Sequence, residues 1–99
     1  MDFGNELSVN TPSEFLLLNN YPNPFNPSTT IEFGLATSCL VKIKIWNILG
    51  QIVAMPINKH YEAGTYKIIF NASNLVSGIY FYQIEAGNFS DTKKMVLTR

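Results

Sequence analysis

The sequence predicts an all-β protein, an antiparallel sandwich, on three observations. Apolar and polar residues alternate with period two along most of the chain, as in Ile31, Phe33, Leu35 and again in Val41, Ile43, Ile45. Gly, Pro and Asn break that alternation at short intervals. No stretch shows a convincing helical period. The length, 99 residues, fits one domain. A chain of that size can bury about two-thirds of its unfolded surface, enough for one core without staples.

The elements follow in order. Residues 1–14 are mostly polar and small, with Asn10-Thr11-Pro12-Ser13 near their end, and read as a flexible lead-in to a domain over 15–99. A first strand is expected over about Phe15–Asn20. Tyr21, Pro22, Asn23, Pro24, Phe25, Asn26 and Pro27 then form a stiff segment that a sheet interior cannot accept. Each proline fixes its own φ and pushes the residue before it into an extended conformation. Tyr21 and Phe25 are expected to plug into the sandwich edge and pin this segment. The second strand is Thr29–Leu35, with Ile31, Phe33 and Leu35 inward. After the Ala36–Cys39 connection comes a third strand, Leu40–Trp46, with Trp46 on the side of Lys42 and Lys44, where its ring can lie along lysine stems.

Asn47-Ile48-Leu49-Gly50 reads as a turn with Gly50 at positive φ. A fourth strand, Gln51–Met55, is expected to stop at Pro56, and Asn58–Ala63 to be a loop. Gly64 opens a fifth strand, where Tyr66, Ile68 and Phe70 share a face. Leu75-Val76-Ser77-Gly78-Ile79-Tyr80 leads into a sixth, Ile79–Glu85, and the placing of Tyr80 suggests a tyrosine corner that ties the crossover loop to the strand. Gly87-Asn88 suits a two-residue hairpin turn. Phe89–Leu97 is the seventh strand. Seven short strands match the count of an immunoglobulin-like β-sandwich, without the Cys…Trp…Cys framework of antibody domains.

Composition excludes several function classes. Hydrophobic residues are 46% and charged residues 14%, too apolar for disorder. No apolar run approaches the roughly 20 residues of a helical membrane span, so no membrane insertion is expected. Seven basic and seven acidic residues cancel, and a neutral domain without a basic stripe argues against nucleic acid. The charge is uneven, however. Residues 1–20 carry Asp2, Glu6 and Glu14 and no base, whereas the last seven carry Lys93, Lys94 and Arg99. A lone Cys39 allows no internal disulfide and reads as a small buried filler. The acidic start, Met1-Asp2-Phe3-Gly4-Asn5-Glu6, is unlike a signal peptide. Either the chain stays inside the cell or it is a fragment of a longer protein, and we read it as the fragment.

Chemistry is sparse. The single histidine, His60, is expected in a solvated loop, with no nucleophile–base pair around it. Glu14, Glu32, Glu62, Glu85 and Asp91 fall singly on different elements, so no metal or cofactor is expected. Glu32 and Glu85 are most simply outward strand residues. Asn71-Ala72-Ser73 and Asn88-Phe89-Ser90 fit the glycosylation sequon and read as turns. Trp46 and Phe81 are the aromatics that alternation places away from the core. A sugar platform there is a weaker reading than ordinary packing.

Five motifs in order resemble the C-terminal sorting domain of the type IX secretion system. They are Tyr21–Phe33, Val41–Val53, Ala63–Tyr66, Ser77–Tyr82 and Lys93–Leu97, and they cover nearly all of residues 15–99. Two departures are visible: Thr37-Ser38-Cys39 lacks the usual Gly before the third strand, and the chain closes on Thr98-Arg99 where Leu-Lys is frequent. The resemblance implies a non-catalytic immunoglobulin-like sandwich of Bacteroidota-type bacteria. It implies an N-terminal parent cargo carried through the periplasm and across the outer membrane. The implied partners are the outer-membrane type IX translocon, its shuttle proteins and a sortase-like cysteine protease that cuts within residues 1–14. The cargo is then attached to the surface or released. The resemblance also makes Lys93, Lys94, Met95, Val96, Leu97, Thr98 and Arg99 the expected recognition element. Tyr21–Pro27, Gly50, Gly64, Gly78, Tyr80 and Gly87 are then architectural. A second class of function, a structural or adhesive accessory module, shares the same sandwich.

Overall fold

Seven antiparallel strands build two sheets in the computed structural model, which describes residues 12–99. The greater part of the expected lead-in, residues 1–11, lies outside the described residues. The strands are β1 (Leu16–Leu17), β2 (Ser28–Leu35), β3 (Cys39–Asn47), β4 (Ile52–Tyr61), β5 (Gly64–Asn71), β6 (Gly78–Ala86) and β7 (Phe89–Leu97). Sheet order is β1-β2-β5 in one layer and β4-β3-β6-β7 in the other. This is the immunoglobulin-like sandwich that seven alternating segments predict.

Period-two alternation places the core between the layers. Ile31, Phe33 and Leu35 of β2 are fully buried, as are Val41, Ile43 and Ile45 of β3 and Tyr82 and Ile84 of β6. Burying each such side chain contributes about 1.5–3 kcal/mol, an upper bound because the unfolded chain is not fully extended. Tyr61 and Tyr66 close one end over Phe33, with ring centroids 5.6 Å from it. The β6–β7 hairpin turns at Gly87, whose φ of 60° suits glycine. Gly50 closes the β3–β4 turn at φ 79°, with the Asn47 side-chain oxygen accepting the Leu49 and Gln51 amides.

Three expectations are corrected. The first strand is only Leu16–Leu17, because the chain leaves the sheet to turn Asn20 inward. Tyr21 does not plug the sandwich edge, since it is 78% exposed. Its backbone is held instead, exchanging hydrogen bonds with Thr30 at 3.0 and 2.8 Å. The fourth strand does not stop at Pro56 but runs to Tyr61, so residues 58–61 are strand and not loop, and His60 sits opposite Leu40. The reason is position. β4 is an edge strand, and its register shifts between Ile43 and Ile45, so that Met55 and Pro56 bulge outward. Proline is tolerated there because its missing N–H faces solvent.

Candidate recognition site

Two segments far apart in sequence meet along the outer edge of β7. Phe25 donates its amide to the Val96 carbonyl at 2.9 Å, and the Thr98 amide donates to the Phe25 carbonyl at 2.9 Å. The Val96 amide donates to the Asn23 side-chain oxygen at 2.9 Å. Phe25 and Leu97 thereby form a one-residue parallel bridge. Phe25, Met95 and Leu97 send their side chains into the core, each at most 1% exposed. The proline segment therefore acts as a clip on the last part of β7.

The clip is itself held from beneath. Asn20 Nδ2 donates to Thr29 Oγ1 at 3.0 Å and to the Pro22 carbonyl at 3.2 Å, and Thr29 Oγ1 donates to the same carbonyl at 2.9 Å. Asn20 and Thr29 are buried, so these bonds form in a low dielectric and fix the loop firmly. On its far side the Ala72 amide donates to the Pro27 carbonyl at 2.8 Å.

Backbone alternation gives the rest of the β7 edge a different character. Val96 points its N–H and C=O away from β6, so Ser90, Thr92 and Lys94 do likewise. Of these, the Thr92 amide is met by the Asp91 side chain at 2.9 Å. Lys94 is exposed and sits opposite Phe81 in the register. Lys93 lies 4.0 Å from Asp91, a half-exposed pair of small energetic weight.

Arg99 behaves differently from the lysines. Its Nη2 donates to the carbonyls of Ala72 at 2.8 Å and Ser73 at 2.9 Å, and also to Leu75. The guanidinium thus ties the chain beyond β7 to the β5–β6 connection. In the same connection Tyr80 donates its hydroxyl to the Val76 carbonyl at 2.7 Å, the expected tyrosine corner. Tyr82 donates across the sandwich to the Leu18 carbonyl at 2.7 Å, and burial pushes its phenol up to about 12. Burial also raises the Cys39 thiol, which packs partly against the core beside Tyr61.

The residues singled out from sequence thus separate into three groups. Met95 and Leu97 are core, Val96, Thr98 and Arg99 are tied down, and Lys93 and Lys94 flank the open part of the edge. Asn23 and Thr29 belong to the Tyr21–Phe33 motif, but their particular bonds, and the anchoring role of Asn20, carry no signal in the sequence. Their roles depend on partners many positions away.

Residues 19–98 match the family described as "Secretion system C-terminal sorting domain". No curated protein matches the chain. Its fold resembles part of dimeric latent PorU from Porphyromonas gingivalis, with a TM-score of 0.66 and 16% identity over 83% of this chain. It also resembles part of PorZ, a surface component of the type IX secretion system of the same organism, with a TM-score of 0.57 and 21% identity over 82% of this chain. The chain spans only 9% and 11% of those two solved chains.

Proposed function

The chain belongs to the family of secretion system C-terminal sorting domains, and from that membership we propose that it marks a parent protein for the type IX route. In this reading the sandwich over residues 15–99 is the signal, and residues 1–14 are the link to the cargo, within which a sortase-like cysteine protease cuts. Shuttle proteins and the outer-membrane translocon recognise the folded domain, and the cargo is delivered to the cell surface or beyond it. The domain acts by being read and does no chemistry itself. The likeness to parts of PorU and PorZ supports the choice of route.

One observation carries the assignment of the read element: the clip of Asn23–Phe25 on Val96–Thr98. It joins the first and last sequence motifs into one rigid edge and leaves the backbone of Lys94 facing outward. An outward strand edge flanked by lysines resists self-pairing yet suits a partner that adds a strand or presents carboxylates.

Deleting Lys93–Arg99 is a poor test, because it removes Met95 and Leu97 from the core. Reversing charge at the surface is better. Residues 1–99 are fused to a periplasm-directed fluorescent reporter in a bacterium with this route, alongside the same fusion carrying Lys93→Glu with Lys94→Glu. Delivery of the intact fusion to the surface or medium is expected, with the folded variant held in the periplasm. Retention of the intact fusion would end the sorting reading. Normal delivery of the variant would remove the lysines from the signal.

A further inference from the structure

Sorting requires a surface that its reader can grip, and the described residues expose one at the end of the sandwich where β7 finishes. The β3–β4 turn and the β5–β6 connection stand on either side of a groove of about 460 Å³. Leu49, Val53, Leu75, Val76 and Ile79 line it, together with Asn74 and Ser77. Ile48 is 69% exposed, and Leu49 and Val76 are each 78% exposed. Three aliphatic side chains left so open at one end of a small domain form the kind of patch that is normally covered in use.

The patch continues onto the outer face of the larger sheet. Trp46 pairs with Phe81, Phe81 with Lys94, and Ile79 with Val96. Arg99 couples it to the terminal segment, since the Leu75 carbonyl it holds belongs to one wall of the groove.

Two features say what covers it. The first is where the chain enters. Pro12 lies against Gly34 at the end where Leu35 pairs with Gly64, opposite to the Asn47 and Gly78 end. The described chain thus begins at the end of the sandwich far from the groove. The second is charge. Lys94 pairs with Phe81 next to the Ile79–Val96 pair, Arg99 binds the Leu75 carbonyl, and Lys94 forms no ion pair among the described residues. The described acids are engaged or placed elsewhere: Glu62 holds Ser38, Glu85 pairs with Lys44, Asp91 with Lys93, Glu32 faces Lys67, and Glu14 precedes β1.

We infer that this groove is a docking site for the protein that reads the signal, taking an apolar segment of that partner with a carboxylate beside it to meet Lys94. The inference rests on the sorting reading and deepens it. Recognition then uses two contacts, the outward edge of β7 and the groove beside its end. A groove with Asn74 and Ser77 beside an apolar floor suits a peptide segment, whose backbone can hydrogen-bond there while its side chain fills the floor.

The test uses the reporter fusion with Leu49→Asp and Val76→Asp together. Ile69→Asp, at a β5 position 75% exposed on the other sheet, is the control. Leu49→Ser with Val76→Ser serves if the aspartates disturb folding, and thermal unfolding of each purified 99-residue chain checks this. Delivery is expected to fall by about tenfold or more for the groove pair, the scale of losing one central apolar contact, with the control unchanged. Lys94→Arg is expected to deliver normally and Lys94→Glu to lower delivery. Normal delivery of a folded groove pair beside a delivered intact fusion overturns the groove and leaves the sorting reading standing. Retention of the intact fusion overturns both. Two results would name another occupant and also overturn it. One is groove-dependent sedimentation of the purified chain with phosphatidylglycerol vesicles. The other is a concentration-dependent dimer lost in the groove pair.

Discussion

The side-chain oxygen of Asn23 accepts the amide of Val96 at 2.9 Å, across 73 positions of sequence. The bond is partnered by the backbone bridge of Phe25 to Leu97, so that the two ends of the domain close on each other. The proline segment does not stiffen a loop for its own sake. It covers the part of an edge strand that would otherwise expose unpaired backbone.

The clip can be weighed residue by residue. Phe25→Ala should cost about 3–5 kcal/mol, because it opens a cavity at a fully packed site. Asn23→Ala should cost about 0.5–1.5 kcal/mol, one exposed hydrogen bond. Tyr21→Ala should fall within about 0.5 kcal/mol, because its ring lies in solvent. Urea unfolding of the three variants gives the order directly. An equal loss for Tyr21→Ala would mean that its ring and not its backbone anchors the segment.

The tyrosine corner predicts a separate loss. Tyr80→Phe removes the bond to the Val76 carbonyl and should cost about 1 kcal/mol. Hydrogen exchange should quicken at the Leu75 amide, which donates to Ala72 within the same connection. Arg99→Ala should quicken the same amide, because the guanidinium holds the carbonyls of Ala72, Ser73 and Leu75.

Tyr82 predicts the alkaline limit of the fold. Its phenol is raised from 10.0 to about 12 by burial, so the folded state disfavours the tyrosinate. Its neutral form stabilises the fold fully below pH 10, and that contribution is lost as pH rises toward about 12. Thermal unfolding temperatures of the parent should decline over this window. In Tyr82→Phe the decline should be shallower, from a lower starting point, because the Leu18 carbonyl loses its donor.

Pro56 predicts a change in association and not in folding. Replacing it with Val restores an N–H on an outward-facing edge strand and should promote self-association through β4. Analytical ultracentrifugation should show a larger species for Pro56→Val, with little change in thermal stability. An unchanged sedimentation profile would mean that the bulge alone protects that edge.

The sequence by itself determined the fold class, the number of strands and which face of β2, β3 and β6 is buried. Those depend on period-two alternation, which is written in neighbouring residues. Gly50 and Gly87 were equally legible, because a turn at positive φ is a local demand. The course of β4 through Pro56 was not, since proline ends a central strand but is harmless on an edge, and which strand is an edge depends on sheet order. The fate of the terminal residues was also hidden. Met95 and Arg99 both lie in the same short motif, yet one fills the core and the other binds loop carbonyls. Only the tertiary structure decided that Tyr21 would show its ring to water, that Asn23 would hold Val96, and that Leu49 and Val76 would face each other across a groove. Each of these joins elements that the chain visits many residues apart, and local pattern carries no record of such meetings.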